Sequence, residues 1–224
     1  MDYWHEIVIE NKNLPCRYFF SNDGRPNIFP PHFHSDVEIM YILTGTLTAT
    51  SGTQSRVLNP GDIVVFNTNE IHSTNCTNDF TTAYIIQINI SYMKDISRLP
   101  VTPYFNIPSL SGPQLPERDK EPVRMLQQMI QSYFLQAQQP LEYNYIYLQS
   151  ILCRIIFYLY QHFQEKQSKE YRFNHKSFER ITEIDNFIKQ HYTEDISQEE
   201  IAGHVGLSTA YLDVYKRQAE SRYF

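Results

Sequence analysis

The residues from Asp195 to Leu212, Asp-Ile-Ser-Gln-Glu-Glu-Ile-Ala-Gly-His-Val-Gly-Leu-Ser-Thr-Ala-Tyr-Leu, constrain this chain more than any other stretch. Ser197 stands as a helix N-cap, and Glu200, three residues on, can reach back to its backbone N–H to close a capping box. Ile201, Ala202 and Val205 recur at helical spacing and end at Gly206, where the chain must turn through a backbone conformation that a Cβ disfavours. Leu207 fills the space between two helices, Ser208 caps the second over Tyr211 and Leu212, and the small Ala202 lets the pair cross closely. Two capped helices meeting at a tight turn are the build of a helix-turn-helix, whose second helix enters a DNA major groove. A structural hairpin within a larger bundle satisfies the same spacings.

The residues themselves resemble the first helix-turn-helix of the AraC/XylS family of bacterial transcription regulators, which runs approximately Ile-Ser-Leu-Glu-Glu-Leu-Ala-x-x-Val-Gly-Leu-Ser-x-x-Tyr-Leu. Ile196, Ser197, Glu199, Glu200, Ala202, Val205, Gly206, Leu207, Ser208, Tyr211 and Leu212 match, while Gln198 and Ile201 replace leucines. The resemblance implies operator DNA as a partner, with Ser197, Ser208, Thr209, Ala210, Tyr211 and Asp213 on the DNA side. The amphipathic pattern from Phe178 to Tyr192 corresponds to the helix that precedes this motif in the family. After Leu212 the match stops: Asp213-Val214-Tyr215-Lys216 replaces the expected polar, often arginine-bearing run, and no second helix-turn-helix follows. Residues 177–224 are therefore expected to form the first half of an AraC-type DNA-binding domain, truncated and impaired in DNA binding.

Charge supports that expectation of weakness. The formal net charge is −6, and from Lys176 onward acidic side chains outnumber basic ones, so phosphate attraction is small. No run approaches the ~18 apolar residues of a membrane span; the most apolar one, Ile151 to Tyr160, contains Arg154. The N-terminus lacks the basic and apolar regions of a signal peptide. Cys16, Cys76 and Cys153 are widely spaced and make no disulfide or zinc pattern. The expected address is the cytoplasm, with no membrane partner.

From Glu6 to Ile90 short strand-like runs alternate with turn residues: Ile7 to Ile9, Arg17 to Phe20, Val37 to Leu43, Leu47 to Thr50, Ile63 to Phe66 and Ala83 to Ile90. Many short strands at this spacing predict a sandwich or barrel. Within them His32-x-His34 is followed by Glu38 and Gly45, and later by Pro60-Gly61-Asp62 and His72. This resembles the two motifs of cupins, small β-barrels with three histidines and a glutamate facing inward. Strict alternation cannot bring His32, His34 and Glu38 to one face, so a bulge or bend is expected between Ser35 and Glu38. Three imidazoles and a carboxylate can hold Fe, Mn, Zn or Ni, or line a pocket without a metal. AraC-family sensor domains commonly carry this pattern, which implies an effector pocket of His32, His34, Glu38, His72, Phe33 and Tyr41. Phe29, Phe66 and Tyr84 are further aromatic candidates, and a sugar or other metabolite is the effector expected by analogy.

Tyr92 to Pro116 is rich in proline and reads as loop and linker. Glu117 to Gln138 then carries one apolar stripe, and Tyr143 to Gln167 is apolar around most of its circumference. The second helix is either buried under both neighbours or forms a homodimer interface, which the family resemblance favours. Gln164 to Lys176 is polar and charged, as an interdomain linker would be.

The expected fold class is α+β: a cupin-like effector-sensing β-barrel (1–112), a helical dimerisation segment (113–167), a linker (168–176) and the partial helix-turn-helix domain (177–224). The expected function is an effector-responsive regulator and not an enzyme. It needs no cofactor, although a divalent metal on His32, His34, Glu38 and His72 is compatible. The alternative is a metal-dependent cupin enzyme using those four residues.

Overall fold

In a computed structural model of the chain, the described residues are 4–22, 27–52, 54–76, 80–99, 102–110, 116–165, 183–184, 187–188, 191, 195–210 and 212. The chain divides into two units, one of residues 6–166 and one of residues 1–5 with 167–224.

The larger unit holds strands β2 (Cys16–Asn22), β3 (Asn27–Phe33), β4 (Val37–Thr44), β5 (Leu47–Ser51), β6 (Gln54–Leu58), β7 (Ile63–Phe66), β8 (His72–Cys76) and β9 (Thr82–Ile88), while the two-residue strand β1 (Trp4–His5) falls in the other unit. Three helices follow: α1 (Ile90–Ser97), α2 (Glu117–Ala137) and α3 (Asn144–His162). One sheet runs in the order β2-β9-β4-β7 and the other, within this unit, β3-β8-β5-β6. The pairings are antiparallel. The expected closed barrel is corrected to a two-sheet sandwich. Successive strands cross from one sheet to the other at bends, such as residues 34–36 between β3 and β4 and Gly45 (φ +71°) between β4 and β5. Each bend ends the hydrogen-bonded ladder, so the sheets face each other without joining.

Side-chain alternation divides the sandwich into two cores. Met40, Ile42, Val64, Phe66, Ala83 and Ile85 of one sheet pack with Leu47, Ala49 and Leu58 of the other. On the opposite face of the β2-β9-β4-β7 sheet, Val37, Ile39, Tyr41, Ile63, Val65, Ile86 and Ile88 pack with Val123, Leu126, Ile130 and Tyr133 of α2 and Leu148, Ile151, Leu152, Ile155 and Leu159 of α3. That sheet is covered on both faces, which is why β4 and β9 are almost continuously apolar. Burying each such aliphatic side chain contributes about 1.5–3 kcal/mol.

The helices sit close to their expected bounds. Glu117 and Asp119 occupy the positive first turn of α2, and the helix ends at Ala137 with Gln138 as its C-cap, two residues before Pro140. α1 lies partly within the stretch read as loop; Asn89 starts it by accepting a hydrogen bond from the Tyr92 amide at 3.1 Å. Ile7 to Ile9 is not a strand, and Ile7 and Ile9 are exposed. No helix among the described residues is long and apolar enough to cross a membrane.

In the smaller unit, α4 (Gln198–His204) opens on the capping box: the Glu200 amide donates to Ser197 Oγ at 3.2 Å, and the Ser197 amide donates to Glu200 Oε2 at 2.8 Å. Gly206 turns the chain at φ +64°, with Leu207 N–H closing on Ala202 C=O at 2.9 Å. Ala202 and Leu212 are buried. Of the helix expected over Phe178 to Tyr192, residues 183–184, 187–188 and 191 are described and helical; the linker 168–176 and the tail from Asp213 lie outside the described residues.

Candidate functional site

His32 and His72 meet first. They are direct partners in the β3–β8 ladder, just past an irregularity between Phe29 and His32 where Pro30 and Pro31 interrupt the register. Their ring centroids are 4.1 Å apart, and Phe66 stacks on His72 at 4.1 Å. His34 sits in the corner between the sheets, its Nδ1 3.0 Å from the carbonyl of Asp36. That corner restarts the alternation, so β4 turns Glu38 inward, 3.2 Å from His34 Nε2. The bend needed to unite these residues therefore lies at residues 34–36, in addition to the irregularity ahead of His32.

All three imidazoles are oriented the same way. His32 Nδ1 faces the Pro30 carbonyl at 3.0 Å and His72 Nδ1 the Glu70 carbonyl at 2.7 Å, as His34 Nδ1 faces Asp36. A carbonyl only accepts, so each Nδ1 carries the proton and each Nε2 is turned away from the backbone. His72 Nε2 is buried and has no hydrogen-bond partner among the described residues. Burial pushes the His72 pKa down to about 3, helped by the charge of His34, and burial likewise lowers His32. Burial opposes charge on His34 too, but the hydrogen bond and charge of Glu38 outweigh it and raise its pKa. Burial alone would lift the Glu38 carboxyl; the His34 hydrogen bond, the neighbouring imidazoles and Gln87 hold it down at about 2. Glu38 is thus held as a carboxylate that favours a proton on His34, while burial favours the neutral rings of His32 and His72.

The donor set fits a divalent ion. One nitrogen each from His32, His34 and His72 lies within 4.8 Å of the others, and Glu6, His34 and Glu38 form a second such group. Carbonyl-locked Nδ1 atoms are the orientation that metal-ligating histidines adopt, and an unpartnered buried Nε2 is a lone pair lacking an acid. The four residues expected from sequence are thus distributed over two groups that share His34.

A cavity of about 180 Å³ opens from this cluster. His32, Glu38 and His72 line its polar end with Glu6, Arg17 and Gln87, and Phe29, Met40, Leu47 and Ile85 line its apolar body. Phe33 is buried beside the histidines but is not on the cavity wall, and Tyr41 is on the other face of β4, where Gln131 Nε2 of α2 donates to its hydroxyl at 2.9 Å. Strand periodicity separates Tyr41 from Glu38, so its assignment to the pocket is corrected. Phe66 reaches the site through His72, while Tyr84 stacks on Phe134. Glu6, Arg17 and Gln87 were not expected. Gln87 left one signal, an amide in the otherwise apolar run of β9; Glu6 and Arg17 left none. Ser197, Ser208, Thr209 and Ala210 are exposed, and Tyr211 and Asp213 lie outside the described residues.

The solved structures similar to this chain include a cupin superfamily protein from Desulfitobacterium hafniense (13% identity, 37% of this chain and 72% of that one, TM-score 0.33). DMSP lyase DddQ from Ruegeria pomeroyi (24%, 34% and 39%, TM-score 0.31) and a mutant of oxalate decarboxylase OxdC from Bacillus subtilis (16%, 34% and 22%, TM-score 0.31) are also similar. The chain thus spans well under half the length of either enzyme. No curated protein matches it in sequence. The expectation that the chain is not an enzyme is corrected: enzymes stand among its structural neighbours, so the fold does not exclude catalysis. Likeness this weak assigns no activity in its place. The family model that matches is the AraC-like ligand binding domain, over residues 17–152, and the chain belongs to that family.

Proposed function

We propose that this chain is an effector-responsive transcriptional regulator in which a small molecule entering the sandwich cavity alters DNA occupancy by the segment around α4. The observation that carries the reading is the cavity: an apolar body ending in a cluster of buried polar groups, one of them the unpartnered Nε2 of His72. Such a wall suits a ligand with a polar head and a compact apolar body, a sugar or other small metabolite. His32, Glu38 and His72 would meet the head, with His34 behind them, and the same residues could hold a divalent ion that meets it in their stead.

Support for the DNA half comes from the Ser197–Glu200 capping box, the turn at Gly206 and the exposed Ser208, Thr209 and Ala210. Support for a homodimer comes from α3, which leaves Ile146, Tyr147 and Phe157 more than half exposed. The ligand need supply only its difference in affinity between two arrangements of the dimer, commonly ~1–3 kcal/mol. The cytoplasm is the compartment this reading requires.

Thermal melts with a panel of small sugars and organic acids test the sensing step, with Met40→Trp filling the cavity as the control. A ligand that raises Tm in the wild type and not in Met40→Trp is expected. The reading fails if no ligand shifts Tm, or if the shift survives the blocked cavity. Selection from a random duplex pool tests the output, which is abandoned if no sequence is enriched.

The three converging imidazoles also favour a second reading, a metal-dependent cupin enzyme built on His32, His34, Glu38 and His72. A bound divalent ion would supply Lewis acidity there. The chain's own part would be to hold the ion through these four side chains and to orient the ligand head against the cavity wall. This reading requires near-stoichiometric first-row metal after chelator dialysis and reloading, and a turnover that His34→Ala abolishes.

A further inference from the structure

Glu38 has a companion carboxylate at the polar end of the cavity. The Glu6 amide donates to the Phe33 carbonyl at 2.8 Å, which fixes the backbone beside the histidines. Its Oε2 lies 3.7 Å from His32 Nε2. Arg17 Nη1 donates to Glu6 Oε1 at 3.0 Å, and Gln87 Nε2 donates to Glu6 Oε2, also at 3.0 Å. The same Gln87 nitrogen donates to Glu38 Oε2 at 2.8 Å.

An amide –NH₂ carries two hydrogens, so Gln87 gives one to each carboxylate and holds them side by side. The sheet enforces this arrangement: Gln87 of β9 is the direct partner of Arg17 on β2 and of Glu38 on β4. Glu6, His34 and Glu38 consequently offer atoms within 4.8 Å of one another, and His34 also belongs to the imidazole group. Arg17 meets the charge of Glu6 and the Nε2 of His34 meets Glu38; a cation bound at His34 Nε2 would take over the second of these roles and lie against both carboxylates. The buried lone pair of His72 Nε2 is an independent sign that a cation is wanted here.

We propose that Glu6 is a fifth protein ligand, giving a cation three imidazole nitrogens and two carboxylate oxygens. The proposal rests on the reading of His32, His34, Glu38 and His72 as a cation-holding group. Five donors exceed the four of a closed tetrahedral zinc site and suit ions that accept six-coordinate geometry and oxygen donors, such as Mn²⁺, over Zn²⁺. They leave one position for an outside ligand. A small molecule entering the cavity would then meet the ion through a single atom, with its remaining contacts made by the apolar wall.

The 224-residue chain, dialysed against chelator and titrated with Mn²⁺ and with Co²⁺, tests this in the wild type, Glu6→Gln and Glu6→Ala. Loss of Glu6 is expected to weaken Mn²⁺ at least about tenfold. The weak visible absorption of high-coordinate Co²⁺ should intensify as the coordination number falls, which loss of negative charge alone would not cause. Glu6→Gln keeps the shape and the Arg17 contact and serves if Glu6→Ala does not fold. Equal Mn²⁺ affinity and unchanged Co²⁺ spectra in both variants would overturn the role of Glu6 while leaving the four-residue site intact. A wild type that takes up neither ion would overturn the cation site itself, and with it this proposal.

Discussion

Asp36 should cost this domain stability at neutral pH, and removing its charge should make that cost visible. The side chain is 4% exposed, in the corner that carries His34. Burial raises its pKa from 3.8 to about 6, against the lowering effects of His34 and of the Ser35 hydroxyl. Because the folded value lies above the unfolded one, the folded state favours the protonated acid. The penalty is therefore absent below the unfolded pKa and grows until pH exceeds the folded one. A shift of about two units corresponds to about 3 kcal/mol at full development, of which about 2 kcal/mol accrues between pH ~4.5 and ~7.5. Asp36→Asn keeps the acceptor for Ser35 and leaves the backbone carbonyl that orients His34. Its new amide adds a fixed desolvation cost of about 1–3 kcal/mol if unpaired, which does not vary with pH. The assay is urea unfolding of both proteins across that range. The variant is expected to gain about 2 kcal/mol on the wild type as pH rises. A gap that stays constant with pH would refute the reasoning.

Two other substitutions probe the scaffold, and one titration probes the site. Gly45→Ala should destabilise the sandwich by at least about 2 kcal/mol in chemical denaturation: at φ +71° its Cβ would fall 2.5 Å from Thr81 Oγ1 and 2.7 Å from Thr81 Cα. A neutral result would mean that the β4–β5 crossing is not as drawn. Ser197→Ala removes the acceptor of the Glu200 amide, a cost of about 1 kcal/mol, and should speed hydrogen exchange of the α4 amides about fivefold while leaving β9 unchanged. Cation uptake should release about one proton per ion below the folded pKa of His34, because Nε2 must give up its proton to ligate. Calorimetry in buffers of different ionisation enthalpy reads that number, and zero would count against the His34–Glu38 ion pair.

What the sequence displayed depended on how each element is buried. β4 and β9 carry apolar residues on both faces because helices cover one side and the second sheet the other, so they were legible. β3, β6 and β8 were not: Asn27–Phe33 contains two prolines, which mark a register shift, and Gln54–Leu58 and His72–Cys76 have little apolar content. Ile7 to Ile9 has strand composition without strand structure, since composition does not provide a partner. His32, His34, Glu38 and His72 could be named from spacing, but their division into two groups around His34 depends on a corner that spacing does not encode. Tyr41 was a legible error, being odd where Glu38 is even on one strand. Glu6 and Gln87 are 81 residues apart and meet only through sheet register, beyond the reach of any local pattern. The capping box of α4 needs only four consecutive residues and was therefore read correctly.

The account depends most on the direction in which the three imidazoles point. Long-range ¹H–¹⁵N correlation spectra of the histidine side chains at neutral pH report that directly. His32 and His72 are expected as neutral rings protonated on Nδ1 and not on Nε2, and His34 as a ring that also carries its proton on Nδ1. A ring of His32 or His72 protonated on Nε2 would contradict the account, because it would have no lone pair to offer a ligand or a cation.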